Sequence, residues 1–254
     1  MDESLKKILT GITINGYKAY VVGGYTRDYF MLENGSNCDI DIATNAPINE
    51  LLDIFSKYKP SVLRYNTLNF NYGDYHVDIA HFREERFVNN ELIISFTDSL
   101  YIDSLRRDFT INAIYIDENG EITDFHNGVE DAKCKYLRFI GHIKERLDED
   151  PSRLLRYMFL LFKYDLNYED AEYNFLKANI SKYISLCSPE IINKYIIKIV
   201  NSCNLNSLVN RFKSIGVYDL LFNNSFKGSF NSISEFFSKT NYRYYDELPK
   251  KYRS

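Results

Sequence analysis

Alternation of apolar and polar residues predicts short β-strands in the first half of the chain. The stretch Asp39-Ile40-Asp41-Ile42-Ala43 alternates acidic and apolar side chains, which is the period of a strand with one buried face. The turn Asn71-Tyr72-Gly73-Asp74 separates two further apolar runs, as in a hairpin. The predicted strands are Tyr20–Val22, Asp39–Ala43, Leu63–Phe70, Tyr75–His81, Ala113–Ile116 and Glu121–Thr123.

Apolar residues recur at helical spacing in three segments of the first half, and the pattern stays helical from Ile143 onward. The polar stretch Arg83–Asn90 predicts a loop. The pattern as a whole predicts an α+β protein, with a front of mixed strands and helices and an all-α region behind. The predicted helices are Thr26–Leu32, Ile48–Lys57, Leu100–Arg107, Pro151–Lys163, Glu169–Asn179, Pro189–Val200 and Ser207–Ser214.

Charge is distributed unevenly along the 254 residues, whose net charge is −4. Up to Asn167 there are 19 Lys and Arg against 27 Asp and Glu, and from Tyr168 onward there are 12 against 8. An acidic front suits carboxylates that hold metal ions, and a basic back suits a surface that meets phosphate. Uneven surface charge without any function explains these counts about as well.

The cysteines and histidines form no recognisable metal or redox motif. No CxxC pair occurs, and the four histidines are scattered, so we interpret them as structural. The N-terminus has neither a signal peptide nor a transit peptide, and no apolar run approaches transmembrane length. We therefore expect a reduced, cytoplasmic setting without a membrane partner. The cysteines are Cys38, Cys134, Cys187 and Cys203.

The carboxylate pair Asp39 and Asp41 is the first candidate for chemistry. Residues two apart on a strand share a face, so both carboxylates project together, with Ile40 and Ile42 on the opposite face. Such a pair is stable when a cation lies nearby, and Mg²⁺ prefers oxygen ligands of this kind. Asp78, on a neighbouring predicted strand, is the candidate third carboxylate. Taken alone, this pattern also fits a solvent-facing strand edge.

Two glycines precede the carboxylate strand. Gly23 and Gly24 lie between a predicted strand and a predicted helix, where backbone N–H groups and the helix N-terminus suit a triphosphate. Arg27, one turn into that helix, is placed to reach the same phosphates. For two adjacent glycines taken alone, a plain tight turn is the better explanation. The combination with Asp39 and Asp41 within twenty residues favours a nucleotide site.

Four blocks of sequence follow one another in a fixed order: Val22–Asp28 followed by Asp39–Thr44, then Arg106–Ala113, Asp124–Gly128 and Arg146–Arg156. In these blocks the chain resembles the class II tRNA nucleotidyltransferases. That family comprises the CCA-adding enzymes and bacterial poly(A) polymerases of the DNA polymerase β-like superfamily. The resemblance covers roughly residues 17–166, and several independent blocks make it specific.

The resemblance implies a fold and a division of labour along the chain. Residues 1–136 are expected to form a polymerase β-like nucleotidyltransferase head with the metal and triphosphate site. Residues 137–200 are expected to form a helical neck that reads the base, and 201–254 a short helical body or tail that contacts tRNA. The implied cofactor is Mg²⁺, as two ions, and the implied partners are CTP, ATP and the tRNA 3′ end. A monomer is favoured over an oligomer.

The resemblance also implies roles for individual residues in the head. Asp39 and Asp41 would hold the metal ions. Gly23, Gly24 and Arg27 would contact the triphosphate. The nucleotide site would also be lined by Arg107 and Asp108.

Four residues of the last block have implied roles in base selection. Asp150 and Arg153 would read the base, Glu149 would orient Arg153, and Arg156 would be a further nucleotide contact. Cytosine and adenine each present an amino donor beside a ring-nitrogen acceptor, which complements a carboxylate and a guanidinium. Uracil and guanine present the reverse pattern, and a buried mismatch of that kind is costly. A helix start, with acids favoured by the dipole and Pro in the first turn, also explains residues 149–151, but it does not explain Arg153 and Arg156 after them.

The expected activity is addition of C and A to the tRNA 3′ end from CTP and ATP. Alternatives within the family are CC addition, A addition and poly(A) synthesis, and Arg83–Asn90 occupies the place of the family's flexible loop. A non-catalytic RNA-binding relative and a nucleotidyltransferase acting on another substrate are weaker alternatives.

Two departures from the family pattern bear on the substrate. Phe159 stands near the position of a further family Arg, so we expect one phosphate contact to be lost or supplied elsewhere. The chain ends fewer than a hundred residues after Arg156, so we expect the tRNA-gripping region to be reduced or rebuilt.

Overall fold

The computed structural model describes residues 2–32, 39–88 and 91–202. The chain separates into two compact units between His142 and Ile143. The first unit contains the strands β1 (Ala19–Val22), β2 (Asp39–Thr44), β3 (Ser61–Val62), β4 (Leu68–Tyr72), β5 (Tyr75–His81), β6 (Arg83–Val88), β7 (Glu91–Phe96), β8 (Ile114–Ile116), β9 (Ile122–Asp124) and β10 (Tyr136–Leu137). Its helices are α1 (Glu3–Thr13), α2 (Gly24–Met31), α3 (Ile48–Ile54), α4 (Leu100–Leu105) and α5 (Gly128–Lys133).

The first unit is built on a seven-stranded mixed sheet with the strand order β3-β4-β5-β2-β1-β8-β9. β2 and β5 are parallel, and their neighbours pair antiparallel. The apolar residues of β2, β4 and β5 share one face and are buried with the apolar side of α1 in a single core. The alternating pattern of the sequence therefore produces a sheet with one packed face and one polar face.

Two strand predictions are wrong in detail. Leu63–Phe70 is a strand only from Leu68, because residues 64–66 form a 3₁₀ turn in which Tyr65 and Asn66 have φ of 59° and 53°. The predicted loop Arg83–Asn90 is strand β6 as far as Val88, and it pairs with β7. Its charged residues form ion pairs at spacing i, i+2, Arg83 with Glu85 and Arg86 with Glu84, which satisfies the charges on each face of the strand.

The described part of the second unit is helical apart from a two-residue strand. Pro151 lies in the turn between two helices, so the predicted helix Pro151–Lys163 begins at Arg153 instead. The segment Ser207–Ser214 lies outside the described residues. The elements are α6 (Ile143–Glu149), α7 (Arg153–Tyr164), β11 (Asn167–Tyr168), α8 (Asp170–Ser185) and α9 (Pro189–Ser202).

The predicted α+β class is confirmed, with a mixed sheet followed by helices. The division at residue 136 stays a prediction. Within the ranges that the structure describes, no helix combines the length and the apolar character needed to cross a bilayer.

Candidate active site

The sheet places the predicted carboxylates on its polar face. Asp39 and Asp41 are exposed on β2, whereas Ile40 and Ile42 are buried on the opposite face, as the alternation predicts. Asp78 lies directly beside Asp41 in the parallel pairing of β2 with β5. Paired residues of adjacent strands share a face, so the three carboxylates are neighbours.

The electrostatics of this trio fit a cation. Protein atoms crowd the Asp41 carboxylate although solvent still reaches the residue, and this partial burial raises the pKa of Asp41 above its usual range. The Arg107 guanidinium lowers that pKa, and the carboxylates of Asp78 and Asp39 raise it further. Like charges held this close are relieved by a divalent ion between them. The hard oxygen donors of Asp39 and Asp41 match the preference of Mg²⁺.

A full protein shell for a metal is absent from the part of the chain that the structure describes. No group of three or more His, Cys, Asp or Glu side chains there is arranged around one point. Mg²⁺ typically takes one or two carboxylates and fills its remaining positions with water and substrate phosphates. Asp39 and Asp41 therefore fit a metal that arrives with its nucleotide.

Gly23 packs against this carboxylate pair. It precedes α2 with φ of 82° and ψ of −133°, a conformation open mainly to glycine. A Cβ atom at this position would lie 2.8 Å from Asp41 Oδ2. The β1–α2 turn thus brings backbone to within contact of Asp41, and Gly24 begins the helix that follows. This close approach goes beyond what a plain turn requires.

Arg27 is fixed by a chain of polar contacts on the same side of β2. Its guanidinium is buried, and it donates to Asp28 Oδ1 at 2.9 Å and to Asn112 Oδ1 at 3.0 Å. The amide of Asn112 in turn donates to Asp108 Oδ1 at 3.1 Å. Arg27 and Asp108, which lie far apart in sequence, are therefore joined through Asn112. The role of Asn112 was not predicted, although the residue lies within one of the family blocks.

A second network holds Arg107. Its Nε donates to the Tyr115 hydroxyl at 2.8 Å, and its Nη2 donates to Asp103 Oδ2 at 3.0 Å. Asp103 is completely buried and also accepts from Arg106 at 2.8 Å. Burial would raise the pKa of Asp103, but the two guanidiniums prevail and lower it to about 2.

Sequence reasoning overlooked Asp103. Its spacing of three and four residues from Arg106 and Arg107 places all three on one helical face, and that signal was available. The outcome is that Arg107 is oriented beside the carboxylate pair by a buried anion. The Arg107 pKa is raised by Tyr115 and Asp103 in spite of burial, so its charge is permanent.

The base-reading candidates lie in the second unit, where they form two ion pairs. Glu149 Oε2 accepts from Arg146 Nη1 at 2.6 Å and from Arg153 Nη1. Arg153 also donates to the Arg146 carbonyl at 2.7 Å and is buried. The predicted contact of Glu149 with Arg153 is present, and it fixes the direction of a guanidinium that has lost most of its solvent.

Asp150 has a separate set of partners. Its Oδ1 accepts from the Ser152 backbone N–H at 2.9 Å and from the Ser152 hydroxyl at 2.6 Å, and its Oδ2 accepts from Arg156 at 2.9 Å. Arg156 was predicted to touch the nucleotide, and in this structure it holds Asp150. The Arg153 N–H donates to the Asp150 carbonyl at 3.1 Å, so the two predicted base readers are one turn apart.

Phe159 lies near the position at which the resemblance leads us to expect a further Arg. The ammonium groups of Lys163 and Lys198 lie 5.6 Å and 5.8 Å from the centre of its ring. Positive charge is therefore present at this position from two lysines around an aromatic ring.

The fold and the arrangement of carboxylates, glycine turn and arginines define the head of a nucleotidyltransferase. Residues 19–138 match the family model of the Poly A polymerase head domain. Enzymes of this class generally use divalent metal ions. The resemblance found in the sequence blocks is confirmed.

The chain is similar to CCA-adding enzymes. It is 34% identical over 229 residues to the CCA-adding enzyme of Staphylococcus aureus (strain Newman), an alignment that covers 87% of this chain and 56% of the relative. The CCA-adding enzyme of S. aureus (strain MRSA252) is 33% identical over 230 residues with the same coverage. The chain thus spans little more than half the length of these curated relatives.

Solved structures agree on the fold. The Bacillus stearothermophilus CCA-adding enzyme in complex with CTP superposes with a TM-score of 0.74 at 24% identity, covering 85% of this chain and 53% of that one. The Thermotoga maritima CCA-adding enzyme complexed with tRNA superposes with a TM-score of 0.73 at 22% identity, covering 99% and 61%. At these identities the similarity establishes the architecture.

Proposed function

We propose that this protein is a tRNA nucleotidyltransferase that adds C and A residues to the tRNA 3′ end, from CTP and ATP, to complete or repair CCA. It would act in the cytoplasm as a monomer with two Mg²⁺ ions. The observation that carries the proposal is the contact between the Gly23 turn and Asp41. That contact joins a phosphate-binding turn to a metal-binding carboxylate pair. The names of the relatives support the same reaction.

The reaction is a substitution at phosphorus. The 3′ oxygen of the RNA forms a bond to the α-phosphorus, the bond from that phosphorus to the α–β bridging oxygen breaks, and pyrophosphate leaves. Mg²⁺ ions held by Asp39 and Asp41 would supply charge neutralisation and activation of the hydroxyl. Asp78, the third carboxylate, is positioned on the same face to accept the hydroxyl proton.

The arginines of the first unit account for binding of the triphosphate. Gly23 and Gly24 offer backbone N–H groups at the start of α2, which suit phosphate oxygens. Arg27 and Arg107 both act on the electrostatics of Asp41, so they are close to the phosphates of a nucleotide whose metal ions Asp41 binds. Asp108 supports Arg27 through Asn112.

Base selection is assigned to the second unit. The ionised Asp150 accepts hydrogen bonds only, so it fits the amino groups of cytosine and adenine. Arg153 donates only, so it fits the ring nitrogen beside each amino group. Glu149 fixes the orientation of Arg153, and Arg156 does the same for Asp150. This pairing favours C and A over U and G without a nucleic-acid template.

The assay offers tRNA transcripts that end before CC, after C and after CC. Each transcript receives CTP, ATP or both, and the 3′ ends are sequenced. Ordered addition of C, C and A is the expected result. CC alone, A alone or a run of A identifies the corresponding relative within the family, and binding of tRNA without any incorporation identifies a non-catalytic protein. An Asp41→Ala variant is the matched negative control.

A further inference from the structure

Beyond Asp78, the polar face of the sheet continues across β5 and β4. Strand pairing aligns Asp41 with Asp78 and Asp78 with Asn69, and it aligns Asp39 with His76 and His76 with Asn71. Two parallel rows of polar side chains therefore lead from the carboxylate pair toward the β3 edge of the sheet. The proposed chemistry uses only the first residues of these rows.

Hydrogen bonds connect the outer residues of the rows. The Asn69 amide donates to Asp78 Oδ1 at 2.6 Å and lies 2.9 Å from His76 Nε2. His76 Nδ1 lies 2.8 Å from Asn71 Oδ1. His76 and Asn71 are exposed, whereas their neighbours along the strands, such as Val77, pack into the core. The outer residues of the rows, Asn69, His76 and Asn71, thus form an ordered polar surface, and solvent reaches His76 and Asn71.

The order of the strands indicates which of the two substrates approaches this surface. In phosphoryl transfer the attacking oxygen and the leaving oxygen lie on opposite sides of the phosphorus. The triphosphate side is defined by Gly23 and Arg27, which follow β1 on one side of β2. β5 and β4 lie on the other side of β2. The attacking hydroxyl therefore approaches across Asp78 and the rows behind it.

We propose that Asn71, held in place by His76 and Asn69, binds the sugar–phosphate backbone at the 3′ end of the RNA that is being extended. Asn71 directs its Oδ1 to His76, and the N–H groups of an amide donate to phosphate and ribose oxygens without adding charge next to the carboxylates. This assignment rests on the proposed function, because it concerns the second substrate of the same site. It predicts that binding of RNA and binding of nucleotide are separable.

The test is steady-state extension of a tRNA transcript lacking CCA by the Asn71→Ala/His76→Ala double variant of the full chain. The Michaelis constant for tRNA is expected to rise about tenfold, because the Asn71 amide, whose hydrogen bonds are of modest net strength, is lost together with the ring that holds it. The constant for CTP and the maximal rate are expected to stay within about twofold of the wild type, as for groups that act in binding alone. Asn119→Ala, in the β8–β9 turn at the other end of the sheet, is the matched control and is expected to change neither constant.

The outcomes separate this inference from the proposed function. If the wild type extends no tRNA, the proposed function fails and this inference fails with it. If the wild type extends tRNA and the double variant leaves the constant for tRNA unchanged, or raises both constants equally, the surface is structural and the inference alone is overturned. If circular dichroism shows that the double variant is unfolded, the single variant Asn71→Ala, whose side chain is exposed, is measured instead. An unchanged Michaelis constant for tRNA, or an equal rise in the constants for tRNA and CTP, then overturns the inference.

Discussion

Replacing Gly23 with Ala tests whether the β1–α2 turn and the carboxylate pair work as one unit. The added Cβ would lie 2.8 Å from Asp41 Oδ2, where ordinary contact begins at 3.4 Å, so the carboxylate or the turn must retreat by about 0.6 Å. The backbone conformation of Gly23 also strains any other residue, at roughly 1–3 kcal/mol. Because misplacement of a catalytic group by about 1 Å costs on the order of 100-fold in rate, we expect a loss of between ten- and a hundredfold, roughly, in CMP incorporation.

Gly120→Ala is the matched control. Gly120 has φ of 83°, almost the value of Gly23, but a Cβ there would have no neighbour within 4 Å. Both variants place a side chain at a similar positive φ, and they differ in the collision with Asp41. Urea unfolding is expected to give similar stability losses, whereas incorporation of CMP into tRNA, measured at saturating substrates well below the unfolding midpoint, is expected to fall only for Gly23→Ala.

Equal activities of the two folded variants would refute the reasoning. That result would mean that Asp41 absorbs the displacement without cost, and the contact would then be packing rather than part of the site. If Gly23→Ala lowers the free energy of unfolding much more than Gly120→Ala does, the sheet absorbs the strain and the Asp41 carboxylate does not.

Three further predictions concern the site. Asp39→Ala and Asp41→Ala are each expected to abolish incorporation, and normal product on a sequencing gel from either would contradict the metal assignment. Arg153→Ala is expected to admit UTP and GTP more than it weakens triphosphate binding, and Arg27→Ala is expected to do the reverse, as measured by Michaelis constants for all four nucleotides. Asp103→Asn is expected to lower the free energy of unfolding by about 2 kcal/mol at pH 7. Because the Asp103 pKa is lowered on folding to about 2, this contribution is complete above about pH 4 and is lost as the pH falls toward 2. Urea unfolding of the wild type and of Asp103→Asn at several pH values measures this contribution. A difference in free energy of unfolding that does not change with pH would exclude the ionic explanation.

The alternation of Asp39 through Ile42 was sufficient to predict the central strand and the face on which its carboxylates lie. Two apolar side chains on one face of a strand fix its register, because a shift by one residue would bury the acids. The strand-to-helix turn was predictable for a similar reason, since few sequences other than two glycines allow such an approach. The local sequence thus determines this half of the site.

The antiparallel pair β6 and β7 shows where local reasoning fails. The first strand of the pair begins with a charged run, Arg83 to Arg86, that lacks the alternation of a strand. Its polar composition predicts a loop. The run is a strand because β7 pairs along its whole length and because its charges neutralise one another on each face. Glu85 also lies 3.6 Å from the Arg106 guanidinium, a contact that only the tertiary fold creates.

Tertiary structure likewise determined the supporting residues of the site. Asn112 joins Arg27 to Asp108 across 85 residues of chain, and no spacing rule reveals such a bridge. Asp103 was visible in principle from its helical spacing to Arg106 and Arg107. Residues that touch a substrate belong to motifs, whereas residues that orient them are constrained by their neighbours in space, so sequence reasoning finds the first kind more readily.

The contact of Arg156 with Asp150 changes how base selection is understood. A carboxylate distinguishes an amino group from a carbonyl only while it is ionised, because a protonated carboxyl also donates a hydrogen bond. Burial raises the pKa of Asp150, but Arg156 and the bonds from Ser152 outweigh it and hold that pKa below its usual range. Under the proposed function, Arg156 acts on specificity through Asp150: it keeps the carboxylate an acceptor, and so keeps uracil and guanine unfavourable.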